Sequence, residues 1–139
     1  MNVFVDTSAF FAVLDADDEN HDRARQVWED LLTQEAVSVC SNYVLVETLA
    51  LVQRRLGLPA VRTFQEDIVP VLKVEWVDEA IHQVGIASVL AAARRGLSLV
   101  DCVSFEIMRR LGIKTAFAFD PHFEEQGFEC LPYSVPLMS

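Results

Sequence analysis

Four acids stand where an unpaired charge is costly. Asp6 ends the apolar run Val3-Phe4-Val5, and Asp120 ends Thr115-Ala116-Phe117-Ala118-Phe119. Glu47 lies inside the apolar stretch from Tyr43 to Leu56, with Tyr43, Val44, Ala50 and Leu51 three or four residues to either side, and Asp101 precedes a run carrying Val103, Ile107, Met108 and Leu111. A carboxylate in such surroundings persists only when something pairs with it. Gathered at one place, the four make a hard oxygen site for Mg²⁺, with Mn²⁺ as a substitute. An ion held there can activate water and offset charge on a phosphodiester as it is attacked. Thr7 and Ser8, beside Asp6, and Ser104, one turn after Asp101, are placed to support the acids by hydrogen bonds. Each hydroxyl also has an ordinary use in capping or helix packing. The same holds for two of the acids: Ser98-Leu99-Val100-Asp101 reads as a capping box, and Arg54 or Arg55 could pair with Glu47.

The pattern of elements explains how distant acids could meet. Asn2–Val5 and Thr115–Asp120 read as buried strands, each delivering an aspartate to its C-terminal end, with further strands expected at Ala36–Cys40, Lys73–Val77 and Phe128–Leu131. Helices are expected between them: a short one from Ala9 to Leu14 capped by Thr7 or Ser8, and one after Asn20 bearing Ala24, Val27, Trp28, Leu31 and Leu32. Others run from Tyr43 to Gly57, from Pro59 with one apolar face (Val61, Phe64, Ile68, Leu72), from Asp78 as N-cap to Gly96, and from Ser98 to Gly112. Pro121–Glu125 reads as a last short helix, and the tail 132–139 as loosely packed. Alternating strands and helices imply an α/β fold with a parallel sheet of about five strands. Right-handed crossovers then bring the strand-end acids to one edge, where such sheets bind ligands.

The 139 residues suit one domain, and no linker-like stretch divides them. A hydrophobic content of 52% and a mean hydropathy of +0.26 fit a sheet covered on both faces or an apolar surface meeting a partner. No run reaches the roughly 18 apolar residues of a membrane helix. The N-terminus has no basic stretch and meets Asp6 at once, so it does not read as a secretory signal, and a cytoplasmic location is expected. Cys40, Cys102 and Cys130 lack zinc spacing and read as buried free thiols. A net charge of −10 argues against a broad electrostatic hold on nucleic acid, leaving a local basic rim and the metal itself to do that work. Asp15–Glu19 lacks the glycine and terminal glutamate of a calcium loop and reads as solvated, and His21 reads as a surface histidine.

The chain resembles PIN-domain proteins, above all the VapC-type toxin ribonucleases of bacterial toxin–antitoxin pairs. The matching residues are the opening strand with Asp6-Thr7-Ser8, then Val46-Glu47-Thr48, Ser98-Leu99-Val100-Asp101-Cys102-Val103-Ser104-Phe105, and Phe119-Asp120-Pro121-His122-Phe123 followed by Gly127-Phe128. The ordered set spans essentially the whole chain. The resemblance implies a single PIN-like domain over 1–139 with helices on both faces of the sheet. It also implies a metal-dependent endoribonuclease whose catalytic, metal-holding quartet is Asp6, Glu47, Asp101 and Asp120. Water would attack RNA in line, leaving a 5′-phosphate and a 3′-hydroxyl. A homodimer and a silencing antitoxin protein are implied as partners, with no membrane. Arg94 and Arg95 are candidate RNA contacts, although Arg54-Arg55, Arg94-Arg95 and Arg109-Arg110 each precede a glycine where cations also complement a helix dipole.

Other classes fit less well. An aspartyl-nucleophile phosphatase needs an acid where Ser8 stands, and a phosphoacceptor domain needs adjacent acids where Thr7 follows Asp6. A structure-specific DNA nuclease would share the acid chemistry, and a non-catalytic PIN-like scaffold would use the acids structurally.

Overall fold

The computed structural model describes residues 1–133, so the expectation for the tail lies mostly outside the described residues. Strand β1 (Asn2–Val5) runs at the centre, hydrogen-bonded on both sides, and its Val3, Phe4 and Val5 have no exposed surface. Both faces and both edges of this strand are covered, which is why its sequence is an unbroken apolar run rather than an alternation. The other strands are β2 (Val37–Ser41), β3 (Leu72–Glu75), β4 (Thr115–Phe117) and β5 (Glu129–Leu131), all parallel, in the order β3-β2-β1-β4-β5. The chain steps outward from β1 to β3, then returns to the far side of β1 for β4. The direction of winding thus reverses between β1 and β4, where Val5 pairs with Phe117.

Helices α1 (Thr7–Leu14), α2 (His21–Thr33), α3 (Asn42–Leu56) and α4 (Leu58–Thr63) belong to the outward crossovers, and α5 (Glu79–Ala92), α6 (Leu99–Leu111) and α7 (His122–Glu125) to the return. Right-handed crossovers therefore place the two sets on opposite faces. Each face has its own aromatic cluster. Phe10 of α1 meets Trp28 and Phe64 at ring-centroid distances of 6.4 and 5.1 Å, while Phe123 of α7 meets Phe105 at 5.0 Å and Phe4 of β1 at 6.5 Å. His21 is half-buried rather than at the surface, its Nδ1 lying 2.8 Å from Ala12 O and joining α2 to α1.

Several expected boundaries move, each for a local reason. The helix opened by Pro59 does not stay regular to Leu72. Pro70 lacks an N–H, and a π turn over Phe64–Ile68 followed by a 3-10 turn over Val69–Val71 keeps both Phe64 and Ile68 buried. Helix α5 stops at Ala92 with Ala93 in the left-handed region (φ 50°), before Arg94 and before Gly96, because residues 90–96 are all exposed and no packing holds a further turn. Strand β4 ends at Phe117, so Asp120 stands three residues beyond it in a turn. Strand β3 ends at Glu75, and Val77 leaves the sheet to donate its N–H to Asn42 Oδ1 at 2.7 Å.

Helices α5 and α6 approach closely at Gly85, buried in α5. A Cβ there would lie 2.6 Å from Val103 Cγ2 and 3.1 Å from Leu99 Cδ1. Gly85→Ala should therefore cost about 1–3 kcal/mol through overpacking, read as a lower Tm, and Val103→Ala added to it should recover part of the loss. An unchanged Tm in the single variant would show that α5 can move off α6 freely.

Candidate active site

Asp6 follows β1 directly and is only 4% exposed. It is itself the N-cap of α1, where Thr7 or Ser8 was expected: its Oδ2 accepts from Ser8 N at 3.1 Å and Ser8 Oγ at 2.7 Å. Ser8 Oγ in turn accepts from Phe119 N at 2.9 Å, and Asp6 N donates to Phe117 O at 3.0 Å. These bonds tie the exit of β1 to the exit of β4 at the winding reversal. Ser8 thus orients the carboxylate rather than starting the helix.

The other acids arrive from three more elements. Strand β2 passes into α3 without a loop, Ser41 Oγ capping Val44 N at 3.2 Å, and this carries Glu47 to the same edge in the second turn of the helix. Glu47 is half-buried and forms no ion pair with Arg54 or Arg55 among the described residues. The Thr7 hydroxyl, near its carboxyl, donates to Val44 O at 3.5 Å and accepts from Thr48 Oγ1 at 3.0 Å. Asp101, 7% exposed, does form the capping box: Asp101 N donates to Ser98 Oγ at 3.0 Å and Ser98 N to Asp101 Oδ2 at 3.1 Å. Capping does not remove it from the site, since it and Asp6, Glu47 and Asp120 all line one open cleft of about 530 Å³, together with Thr7, Ser8, Ser98 and Arg54. Asp120 Oδ1 accepts from His122 N at 2.9 Å, which braces the turn after β4.

Ser104 differs from its expected use. Its buried hydroxyl donates to Val100 O at 2.8 Å, one turn back in α6, and it is not part of the cleft wall. Arg94 pairs with Glu125 at 3.0 Å, and Arg95 is exposed on the loop leading to Gly96; neither lines the cleft.

Burial dominates the electrostatics, and the neighbouring carboxylates add to it. Burial raises Asp6 from an ordinary 3.8 to about 7; its bonds to Ser8 oppose the rise, and the charges of Asp101 and Glu47 add to it. Burial also raises Glu47, against the Thr7 hydroxyl and with Asp101 and Asp120 adding repulsion. Asp101 is raised by burial, with Asp120 adding to the rise while Ser98 and His122 oppose it. The thiols take no part: burial pushes Cys40 up to about 12 and Cys130 to about 11, and raises Cys102, so none is a ready nucleophile.

His122 was given no site role from sequence. Its Nδ1 is fully buried and faces Asp120 Oδ1 at 2.9 Å and Asp101 Oδ2 at 3.6 Å, yet is aligned for a hydrogen bond with neither. One donor atom from each of Asp101, Asp120 and His122 lies within 4.8 Å of the others, little more than the span across a six-coordinate Mg²⁺, about 4.2 Å. An unsatisfied ring nitrogen beside carboxylates that repel one another is the donor set a divalent cation would complete, so the residues fit such an ion. The signal in the sequence was the histidine two residues after Asp120, with Pro121 fixing the turn between them.

The profile of the PIN domain matches residues 3–129. The chain is 35% identical over 127 residues to a protein of Mycobacterium tuberculosis named 23S rRNA-specific endonuclease VapC20, across 91% of this chain and 95% of that one. The crystal structure of M. tuberculosis VapC20, described as a sarcin–ricin loop cleaving toxin, superposes with a TM-score of 0.81 at 34% identity over 91% of this chain and 95% of that one. FitAcB from Neisseria gonorrhoeae shares the fold, with a TM-score of 0.67 at 14% identity over 96% of this chain and 97% of the other.

Asp6 makes a pH dependence of unusual sign. Between about pH 4 and 7 the folded chain keeps a proton on Asp6 that the unfolded chain has lost, so stability from this residue is full below that window and falls as pH rises through it. Metal-free protein should lose stability on the order of a few kcal/mol across the window, and Asp6→Asn should flatten the slope. Thermal melts at stepped pH with EDTA present check this. A slope unchanged by the substitution would show that Asp6 is ionised throughout.

Proposed function

The chain belongs to the PIN-domain family, among its VapC-type toxins, and from that premise we propose that the acid cleft is the active site of a divalent-metal-dependent endoribonuclease. The observation that carries this is the convergence of Asp6, Glu47, Asp101 and Asp120, from four separate elements, on one cleft. An intact quartet speaks against a binding scaffold, and a relative named for 23S rRNA favours RNA over DNA. The same relative makes 23S rRNA, and its sarcin–ricin loop in particular, our proposed target.

Asp6, Asp101, Asp120 and His122, with Glu47 at the cleft wall, would hold Mg²⁺ or Mn²⁺. The bound ion supplies an activated water and neutralises charge on the phosphodiester. The protein's part is preorganisation. Ser8 fixes the Oδ2 of Asp6 and Ser98 the Oδ2 of Asp101, so the free oxygens of both face a set direction before substrate arrives. On taking up a cation, Asp6 would release the proton that burial keeps on it near neutral pH.

Family membership also supports a cognate antitoxin, a homodimer and a cytoplasmic location as proposals. No helix among the described residues is long and apolar enough to cross a membrane. Exposed Val46, Leu58, Trp76 and Leu90 supply apolar surface for protein partners.

Purified protein free of any antitoxin should cut 23S rRNA in the presence of Mg²⁺ or Mn²⁺ and not with EDTA. Asp6→Asn, Glu47→Gln and Asp101→Asn should each lose at least about a hundredfold in rate, more than the 10- to 100-fold typical of a group that merely supports a ligand. Gel analysis of the cleaved rRNA reads the outcome. Undiminished cutting in EDTA, or by Asp101→Asn protein, would contradict the assignment.

A further inference from the structure

Arg54 is the cationic side chain in the wall of the acid cleft. Glu47, Ala50, Leu51 and Arg54 are spaced i, i+3, i+4 and i+7, so they form one stripe of α3, and all four line the cleft. The arginine is exposed and has no ion pair among the described residues. Three of the other arginines are engaged, Arg94 with Glu125, Arg110 with Glu106, and Arg109 with Gln126 while over the Phe128 ring at 5.3 Å. Nor is Arg54 spent on the acids. The groups acting on Asp6, Glu47 and Asp101 are their neighbouring hydroxyls and backbone, one another, Asp120 and His122, and Arg54 is not among them.

An unpaired guanidinium beside four acids, in a protein of net charge −10, needs an explanation. Complementing the C-terminal dipole of α3 accounts for a cation in the last turn, but Arg55 supplies that equally and does not line the cleft. We propose that Arg54 is a positioning residue that grips a backbone phosphate of the RNA next to the one being cut. The inference rests on the ribonuclease reading above. Seven residues of helix place Arg54 about 10 Å along the axis from Glu47, an offset that suits a neighbouring phosphate rather than the reacting one. The planar fork of arginine matches two phosphate oxygens, which a point charge does not. With so few cations available, one such contact is a large share of the hold on substrate and sets which stretch of backbone lies across the acids.

The test uses a synthetic RNA hairpin of sarcin–ricin loop sequence, with binding followed by fluorescence anisotropy in Ca²⁺ at several salt concentrations and cleavage followed in Mg²⁺. Arg54→Ala should weaken binding about tenfold or more and lower the slope of log Kd against log salt by about one ion. It should raise KM while leaving kcat within about twofold, because the contact is made before and during reaction alike. Arg54→Lys should restore the salt slope and only part of the affinity. Arg25→Ala, which removes the same charge from an exposed pair on α2 with Glu29, should change neither by more than about twofold, and melts should show all variants folded. If Arg54→Ala binds and cuts like the unsubstituted protein, or if Arg25→Ala loses as much, the proposal falls while the nuclease reading stands. If the unsubstituted protein neither binds nor cuts the hairpin or 23S rRNA, the nuclease reading fails and Arg54 with it.

Discussion

Like charges repel, and this fold drives four carboxylates into one cleft. Burial raises Asp6, Glu47 and Asp101, a neighbouring carboxylate adds to the rise of each, and Asp6 reaches about 7. Such crowding opposes folding unless protons or a cation occupy the site. The rest of the architecture follows from the need to hold these groups still. The capping box at Asp101 and the Ser8 bridge from Asp6 to Phe119 are hydrogen bonds that fix carboxylate orientation without neutralising charge. The aromatic clusters around Phe10 and Phe123, one on each face, anchor the sheet edge that bears the load.

The strand-end aspartates and the parallel sheet were legible because buried parallel strands are read from unbroken apolar runs, and right-handed crossovers leave few ways to arrange them. Glu47 was legible because a charge on an apolar helical stripe stands out. The details that sequence obscured were those decided by tertiary packing. The cap of α1 belongs to Asp6 because β1 delivers its carboxylate to the helix N-terminus, and Thr7 and Ser8 looked equally suited in isolation. Ser104 sits one turn from Asp101, yet its rotamer turns back to Val100 O. Helix α5 ends without its glycine, since an exposed last turn has nothing to hold it.

His122 and Arg54 show a different limit. Neither is remarkable as a residue type at its place in the chain, because a histidine after a proline and an arginine in a helix's last turn have common structural uses. Their significance comes from what they face: a buried ring nitrogen aimed at two carboxylates, and a free guanidinium on the same stripe as Glu47. Together with the acids they divide the work an acidic protein must do to act on a polyanion. The acids with His122 would suit a divalent cation, and Arg54 a phosphate of the polyanion.

The most direct test of this account is calorimetric titration of Mg²⁺ or Mn²⁺ into metal-free protein, in buffers of different ionisation heat, at roughly pH 6.5 and 8.5. If the crowded carboxylates are the cation site, saturable binding should release protons at the lower pH and fewer at the higher, as Asp6 gives up the proton that burial had kept on it. Binding that releases no proton at either pH, or no saturable binding in the millimolar range, would contradict it.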